Sequence, residues 1–171
     1  MDIEPLLGEE QIRKRIQELA NQINKDFAGE KITVVGVLKG AFVFMADLVR
    51  YLKGPLTCDF LRMSSYDSDG KSTGTIRLEF DLTQPVEGKH VLLVEDIVDT
   101  GLTASYLLKH LKQKNPKTVK LCTFLHKPVD KVHVPIDYLG FEIPNEYVVG
   151  YGLDLDGKFR HLPYLARVIN L

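Results

Sequence analysis

The sequence predicts an α/β fold in which a mainly parallel, twisted sheet is flanked by helices. Two short apolar runs rich in β-branched residues, at 32–38 and 91–94, are typical of strands that are buried on both faces. Segments with helical periodicity lie between the predicted strands, and this alternation gives right-handed crossovers and parallel pairing. The length of 171 residues suits one domain.

The N-terminal half predicts two helices and three strands. Apolar residues between Ile12 and Phe27 recur at steps of three and four, which predicts a helix from Glu9 to Ala28-Gly29. The elements that follow are a strand at 31–38, a helix at 41–52, and strands at 56–63 and 75–80. The polar segment 64–74 has one aromatic and no aliphatic residue, so it is either disordered or a functional lid.

The C-terminal half continues the alternation. After the strand at 91–94 comes an acidic segment and then a helix at about 103–114, which Asn115-Pro116 ends. Further strands are predicted at 118–125, 136–141 and 147–149, and the tail from Asp154 onward is less regular.

Composition excludes several classes of protein. Lys and Arg number 22 against 23 Asp and Glu, and this net charge of −1 disfavours general nucleic-acid or anionic-membrane binding. No apolar run reaches 18 residues, and the N-terminus has no apolar signal core, so we expect neither a membrane span nor a secretory signal. Cys58 and Cys122 form no CxxC pair and fit a reducing, cytoplasmic location.

Polar residues follow each buried strand, where ligands bind in open parallel sheets. They form four groups: Lys39 and Gly40; Glu95, Asp96 and Asp99; His126 and Lys127; and Gly150, Gly152 and Asp154. Since the carboxyl ends of parallel strands meet at one edge, we expect two lysines and four carboxylates on the same rim.

The segment 95–103 carries the clearest chemistry. Adjacent carboxylates at Glu95 and Asp96 can accept hydrogen bonds from a vicinal diol such as that of ribose, at about 1.5–3 kcal/mol each. The helix start that follows offers free N–H groups and two hydroxyls to a phosphate, at Thr100, Gly101, Leu102 and Thr103. Any one of these residues fits a solvated loop or an ordinary helix cap equally well; together they indicate a ribose 5-phosphate site.

The stretch from Val91 to Thr103 closely resembles the phosphoribosyl-pyrophosphate motif of type I phosphoribosyltransferases. Leu38-Lys39-Gly40-Ala41 is similar to the pyrophosphate loop of the hypoxanthine-guanine branch in its bacterial form, and Ser65-Tyr66 to the start of its mobile loop. Lys127-Pro128 and the segment 140–154 resemble its purine site and C-terminal hood. The resemblance implies a single domain with a core at about 10–140, a hood from about 1–9 and 141–171, and a mobile loop at about 64–75.

The resemblance also implies a reaction and its participants. A 6-oxopurine, hypoxanthine or guanine, takes the phosphoribosyl group of phosphoribosyl pyrophosphate with Mg²⁺, and pyrophosphate leaves. Relatives are commonly homodimers or homotetramers. The family usually has a non-proline cis peptide at the position of Lys39-Gly40.

Residue roles follow by position in the resembling motifs. Asp99 is the implied acid/base at purine N7, and the segment 99–103 binds the 5-phosphate, with Lys39, Gly40 and Arg160 on pyrophosphate. The implied purine residues are Lys127, Tyr147, Val148 and Asp154, and the implied magnesium residues are Glu95, Asp96 and Asp154. A cationic sugar exposed to water would hydrolyse, which favours the lid interpretation of 64–75.

Other functions remain open at this stage. A nucleotide-sensing regulator could keep the same fold and bind RNA or DNA, and a transferase could prefer xanthine, adenine or a pyrimidine. Lys127 disfavours adenine because a cationic donor suits a 6-oxo acceptor.

Overall fold

In the computed structural model the chain is described over residues 2–68, 71–129 and 131–170, and over 65–68 and 71–75 the backbone alone is described. The described residues form nine strands and three helices, in the order β1 (Asp2–Leu7), α1 (Glu9–Asp26), β2 (Ile32–Leu38), α2 (Phe42–Tyr51), β3 (Leu56–Ser68), β4 (Lys71–Phe80), β5 (His90–Val98), α3 (Leu102–Lys112), β6 (Thr118–His126), β7 (Tyr138–Glu142), β8 (Val148–Val149) and β9 (Leu165–Ile169).

The main sheet has six strands in the order β4-β3-β2-β5-β6-β7. All neighbouring pairs from β3 to β7 are parallel, and the edge strand β4 pairs antiparallel with β3. The predicted α/β fold with a mainly parallel sheet is therefore confirmed.

Both faces of the main sheet are covered, as the nearly continuous apolar runs require. Along β2, Val34 packs with α1 and α2, whereas Val35 and Val37 pack with α3 on the other face. Helix α1 turns an apolar stripe towards the sheet that includes Ile12, Ile16, Leu19 and Ile23.

The strand order places a switch point between β2 and β5. The chain leaves β2 through α2 towards β3 on one side, and it leaves β5 through α3 towards β6 on the other. A crevice opens at the carboxyl ends of two strands whose connections diverge in this way, and ligands bind there.

Two predicted boundaries are wrong in an informative way. Strand β5 continues through Val98, so Glu95 and Asp96 lie within a strand and not in an acidic loop. The reason is that β6 still pairs with β5 there, with Glu95 opposite Thr123, whereas the register with β2 ends at Val94. The polar segment after residue 63 is also paired: β3 and β4 form a long hairpin, with residues 69–70 outside the described part.

A second sheet of three strands, in the order β1-β9-β8, joins the two ends of the chain. The sequence predicted neither β1 nor β9. Pro5 and two acidic residues weaken the strand pattern of β1, and proline is tolerated there because β1 is an edge strand. Of the described residues, none belongs to a helix long and apolar enough to cross a membrane.

Candidate active site at the carboxyl ends of the central strands

A cavity of about 410 Å³ lies at the switch point. We call it the larger cavity, because a second one of about 230 Å³ adjoins it. Its polar lining includes residues that follow β2, residues of β5 and of the start of α3, and two residues from the C-terminal segment. These are Lys39, Gly40, Glu95, Asp96, Asp99, Thr100, Gly101, Thr103, Asp154 and Arg160.

The loop after β2 lies directly against Asp96. The α-carbon of Gly40 is so close to the Asp96 carboxylate that a Cβ at this position would overlap it. The chain does contain a non-proline cis peptide here, but it joins Leu38 to Lys39. The expected position between Lys39 and Gly40 is therefore wrong by one bond.

Glu95 and Asp96 are adjacent carboxyl groups in a poorly solvated place. Glu95 is only 3% exposed, and its Oε1 has no hydrogen-bond partner among the described residues. Burial, and then the charge of Asp96, raises the pKa of Glu95 well above its usual value. Burial also raises the pKa of Asp96 to about 6, although its Oδ1 accepts a hydrogen bond from the Ile97 N–H at 2.8 Å.

Helix α3 begins beside the larger cavity, which Gly101, Thr103 and Ala104 line. Its N-cap residue, Gly101, has a φ of 79° and supplies no side-chain cap, and the Leu102 N–H makes only a long hydrogen bond of 3.5 Å to Thr100 Oγ1, so the first-turn donors remain available to a ligand. The carbonyl of Val132 lies where a Cβ of Gly101 would be. The Thr100 carbonyl accepts hydrogen bonds from the N–H groups of Lys131 and Val132 at 3.0 and 2.9 Å, which fixes the loop that precedes the helix.

Arg160 and Asp154 reach the same cavity from the C-terminal segment. One guanidinium nitrogen of Arg160 lies 2.7 Å from Asp154 Oδ1, and the other donates to the Gly152 carbonyl at 2.8 Å. The second oxygen of Asp154 accepts a hydrogen bond from the Gly157 N–H at 2.7 Å. Arg160, in a part of the sequence with little regular pattern, is thus held beside the acidic residues of the main sheet.

A smaller cavity, of about 230 Å³, adjoins the larger one. Lys127 is 9% exposed and its Nζ lies 3.7 Å from Asp99 Oδ2. Tyr147, 43% exposed, presents an aromatic ring at the rim, and Val148 follows it in β8. The full lining is Asp96, Ile97, Asp99, Lys127, Tyr147, Val148, Leu153 and Asp154.

The two cavities share four lining residues: Asp96, Ile97, Asp99 and Asp154. A ligand that occupies both would therefore pass Asp99 at the boundary. Among the described residues no three carboxylate, histidine or cysteine side chains converge closely enough to hold a metal ion by themselves.

Some lining residues have no signal in the sequence. Met63, Ser64 and Ile76, from the base of the hairpin, line the larger cavity, and Ile97 lies between both cavities. Apolar residues in strands look alike whether they face a core or a cavity. The side chains of Ser65 and Tyr66 lie outside the described residues, so their expected role stays a prediction.

Residues 3–156 match the family model of the phosphoribosyl transferase domain. The chain is 45% identical to a hypoxanthine-guanine phosphoribosyltransferase of Mycobacterium tuberculosis, over 94% of this chain and 83% of that protein. It is 42% identical to the hypoxanthine phosphoribosyltransferase of Escherichia coli, over 99% and 97%. A crystal structure of a hypoxanthine-guanine phosphoribosyltransferase from Bacillus anthracis superimposes with a TM-score of 0.92 at 46% identity, over 97% and 98%. The chain therefore belongs to the phosphoribosyltransferase family and has its type I fold.

Proposed function

We propose that this protein is a purine-salvage enzyme that transfers the 5-phosphoribosyl group of phosphoribosyl pyrophosphate to N9 of hypoxanthine or guanine, with release of pyrophosphate. One observation carries the proposal: two adjoining cavities share Asp99, and one is rich in phosphate- and diol-binding groups while the other pairs a buried lysine with an exposed aromatic ring. The names of the relatives support the choice of a 6-oxopurine.

The 5-phosphate binds at the start of α3. The N–H groups of residues 101–104 offer it their partial positive charge, and the hydroxyls of Thr100 and Thr103 add two donors. Gly101 lets the backbone take this position, since its φ of 79° suits glycine and a Cβ would overlap the Val132 carbonyl. Leu102, 44% exposed, contributes its N–H group.

The ribose hydroxyls and a magnesium ion meet Glu95 and Asp96. The buried Oε1 of Glu95, which has no hydrogen-bond partner among the described residues, offers an acceptor to a cation or a hydroxyl donor. Mg²⁺ is commonly held by one or two carboxylates together with substrate oxygens and waters, so Glu95 and Asp96 fit it without a third protein carboxylate. Asp154, at the edge of the same cavity, would bind the ion only through the substrate or a water. When bound, Mg²⁺ supplies positive charge that stabilises the departing pyrophosphate.

Pyrophosphate is bound by Lys39, the backbone at Gly40, and Arg160. All three line the larger cavity, and none lines the smaller one. As the bond at C1′ breaks, negative charge builds up on the leaving group, and cations already held in place lower the barrier. The ion pair with Asp154 keeps the guanidinium of Arg160 in position.

The purine occupies the smaller cavity. Lys127 donates a hydrogen bond to the 6-oxo group, Tyr147 stacks on the ring, and the backbone of Val148 contacts the base edge. Asp99 lies 3.7 Å from the ammonium group of Lys127 and is 47% exposed at the side chain, so it can reach a purine nitrogen. It exchanges a proton with N7 as general acid/base.

Residues 64–75, in the hairpin of β3 and β4, serve as the lid. Its base already lines the larger cavity through Met63, Ser64 and Ile76. Closure of the segment that starts at Ser65-Tyr66 excludes water from the cationic sugar, which water would otherwise attack.

We further propose one catalytic domain with a hood formed by the two chain ends, acting as a homodimer or homotetramer in the cytoplasm. An apolar depression on α2 and β3, lined by Phe42, Met45, Val49, Cys58 and Phe60, supports self-association. The two free cysteines, Cys58 and Cys122, suit a reducing compartment. No nucleic-acid or membrane partner is part of the proposal.

A purine panel tests the function. Purified protein is supplied with phosphoribosyl pyrophosphate, Mg²⁺ and one of hypoxanthine, guanine, xanthine or adenine, and nucleotide and pyrophosphate are quantified. We expect equimolar products with hypoxanthine or guanine and none with adenine. Preference for xanthine would reassign the substrate, and salt-sensitive binding of RNA or DNA without turnover would favour a regulator.

A further inference from the structure

A turn of three residues, 150–152, lies between the loop after β2 and Arg160, and it contacts both. All three have positive φ, at 94° for Gly150, 49° for Tyr151 and 98° for Gly152. Two of them are glycine, which adopts this geometry freely, but Tyr151 is a bulky residue in a region that such residues rarely occupy. A conformation of this kind persists only where surrounding contacts hold it.

One side of the turn supports the loop after β2. The α-carbon of Gly152 packs on the Gly40 carbonyl so closely that a Cβ would collide with it. The position of Gly40, and with it the backbone that lies beside Asp96, therefore depends on where the turn lies.

The other side of the turn holds Arg160. The Gly152 carbonyl accepts a hydrogen bond from the guanidinium at 2.8 Å, and the Gly152 N–H donates to the Arg160 carbonyl at 3.0 Å. The N–H of Tyr151 donates to the Leu162 carbonyl at 2.9 Å. The same short turn thus contacts two of the three groups that we assign to pyrophosphate, the Gly40 backbone and Arg160.

The turn is anchored by the side chain of Tyr151. It is 4% exposed, its ring centroid lies 4.9 Å from that of Phe124, and its hydroxyl donates to Asp47 Oδ2 on α2. Asp47 also pairs with Arg50, one turn further along the helix. This hydroxyl–carboxylate bond ties the turn to the helix that follows the Lys39-Gly40 loop.

We propose that Tyr151 and Asp47 form a positioning pair that sets the Gly40 backbone and the Arg160 guanidinium at the spacing required by a pyrophosphate group. Neither residue lines the smaller cavity, although Val148, Leu153 and Asp154 on either side of the turn do. Because Gly152 itself contacts Gly40 and Arg160, the pair acts first on phosphoribosyl pyrophosphate and pyrophosphate. The inference rests on the proposed function. It adds to that function two residues that determine how well the pyrophosphate group is bound.

The chain offers a matched control on β7, an edge strand of the main sheet. The hydroxyl of Tyr138 donates to Asp26 Oδ2 at 2.6 Å, and Tyr138 is 3% exposed. Neither residue lines either cavity. Tyr138→Phe therefore removes the same kind of buried bond without a path to the site.

The experiment compares Tyr151→Phe, Asp47→Ala, Asp47→Asn and Tyr138→Phe with the wild type. Steady-state kinetics give KM for phosphoribosyl pyrophosphate and for hypoxanthine, and titration calorimetry gives the affinity for pyrophosphate with Mg²⁺. Thermal unfolding of each variant shows how much stability is lost.

For Tyr151→Phe and Asp47→Ala we expect KM for phosphoribosyl pyrophosphate and Kd for pyrophosphate to rise about tenfold, as small misplacements of binding groups do. KM for hypoxanthine changes much less than KM for phosphoribosyl pyrophosphate. A double variant, Tyr151→Phe with Asp47→Ala, is no worse than Asp47→Ala alone, because Asp47→Ala already removes the bond from the Tyr151 hydroxyl together with the ion pair to Arg50. Asp47→Asn keeps an acceptor and largely restores affinity, and Tyr138→Phe loses stability alone.

Equal effects on both substrates, or the same KM change in Tyr138→Phe, would overturn the pair as a positioning device and leave a structural role. A wild type that forms no nucleotide would count against the proposed function instead. The calorimetric titration with pyrophosphate still decides on the pair in that case, since it requires no turnover.

Discussion

The two cavities are built in different ways. The larger one takes most of its polar groups from two continuous stretches, Lys39-Gly40 and 95–103, at the ends of neighbouring central strands. The smaller one brings together Lys127, Tyr147 and Asp154, from three separate segments, and the small sheet supplies Val148.

The difference concerns burial as well as chain order. Glu95, at the larger cavity, is 3% exposed, whereas Tyr147 at the smaller cavity is 43% exposed and Asp99, at the boundary, has a 47% exposed side chain. Charged groups interact more strongly where water is scarce. We infer that the larger cavity supplies most of the electrostatic stabilisation, while the smaller one supplies recognition of the base.

Asp99 belongs to both cavities, so its substitution should have the largest effect. Asp99→Asn removes the proton acceptor but keeps the shape, and we expect turnover to fall by about 10²–10⁴-fold. The product nucleotide should bind as before, which titration calorimetry measures. Asp156→Asn, the same substitution at an exposed position nearby, is the control. Unchanged turnover in Asp99→Asn would remove this residue from the chemistry.

A crossed comparison of two lysines separates the cavities. Lys39→Met should raise KM for phosphoribosyl pyrophosphate and Lys127→Met should raise KM for the purine, each by about 10–100-fold, since a hydrogen bond to a charged donor contributes about 1.5–3 kcal/mol. Initial rates with one substrate varied at a time give both constants. Lys112→Met, on the exposed side of α3, serves as the control. If each variant raised KM for both substrates equally, the assignment of one substrate to each cavity would be wrong.

Substitution of Tyr147 tests how the smaller cavity binds the purine. Stacking of one base on an aromatic ring contributes about 1–3 kcal/mol, so Tyr147→Ala should raise KM for hypoxanthine about tenfold. Tyr147→Phe keeps the ring and should stay close to the wild type. A large loss in Tyr147→Phe would show that the hydroxyl, and not the ring, makes the contact.

Asp96, in the larger cavity, should make both the free energy of unfolding and the substrate affinity depend on pH. Burial raises the pKa of Asp96 from its usual 3.8 to about 6, so the folded protein binds a proton more tightly there than the unfolded chain does. The free energy of unfolding without ligand therefore declines as pH rises from about 4 to 6 and stays lower above that. Affinity for phosphoribosyl pyrophosphate with Mg²⁺ should rise over the same range, because binding requires the charged form.

Asp96→Asn removes this titration. We expect it to raise Tm at pH 7.5 by a few degrees, since about 1 kcal/mol shifts Tm by about 2–4 °C in a chain of this size, while substrate binding is lost. Differential scanning calorimetry at pH 5 and 7.5 measures the change. A lower Tm for Asp96→Asn at pH 7.5 would contradict the assignment of an unfavourable buried charge.

The same contrast explains how far the sequence could predict the site. The stretch from Glu95 to Thr103 is local, so its carboxylates and helix start could be recognised together, and the buried strands around it have a clear apolar pattern. Lys127 and Tyr147 fit an ordinary surface lysine and a core aromatic when taken alone. The strand ends place Lys127 on the rim, but only the resemblance gives its role and points to Tyr147.

Features that depend on distant pairing could not be predicted. The extension of β5 over Glu95 and Asp96 requires β6 as partner, and β1 exists only because β9 pairs with it. The hairpin of β3 and β4 is polar enough to look like a loop. The cis bond at Leu38-Lys39 was expected one position later, since a motif match does not determine which bond is cis.

A crystal structure of the protein with inosine 5′-monophosphate tests the central claim most directly. The account predicts the phosphate against the N–H groups at the start of α3, the ribose hydroxyls towards Glu95 and Asp96, and the base in the smaller cavity between Lys127 and Tyr147. A nucleotide bound in the reverse orientation, or with its base outside the smaller cavity, would contradict it.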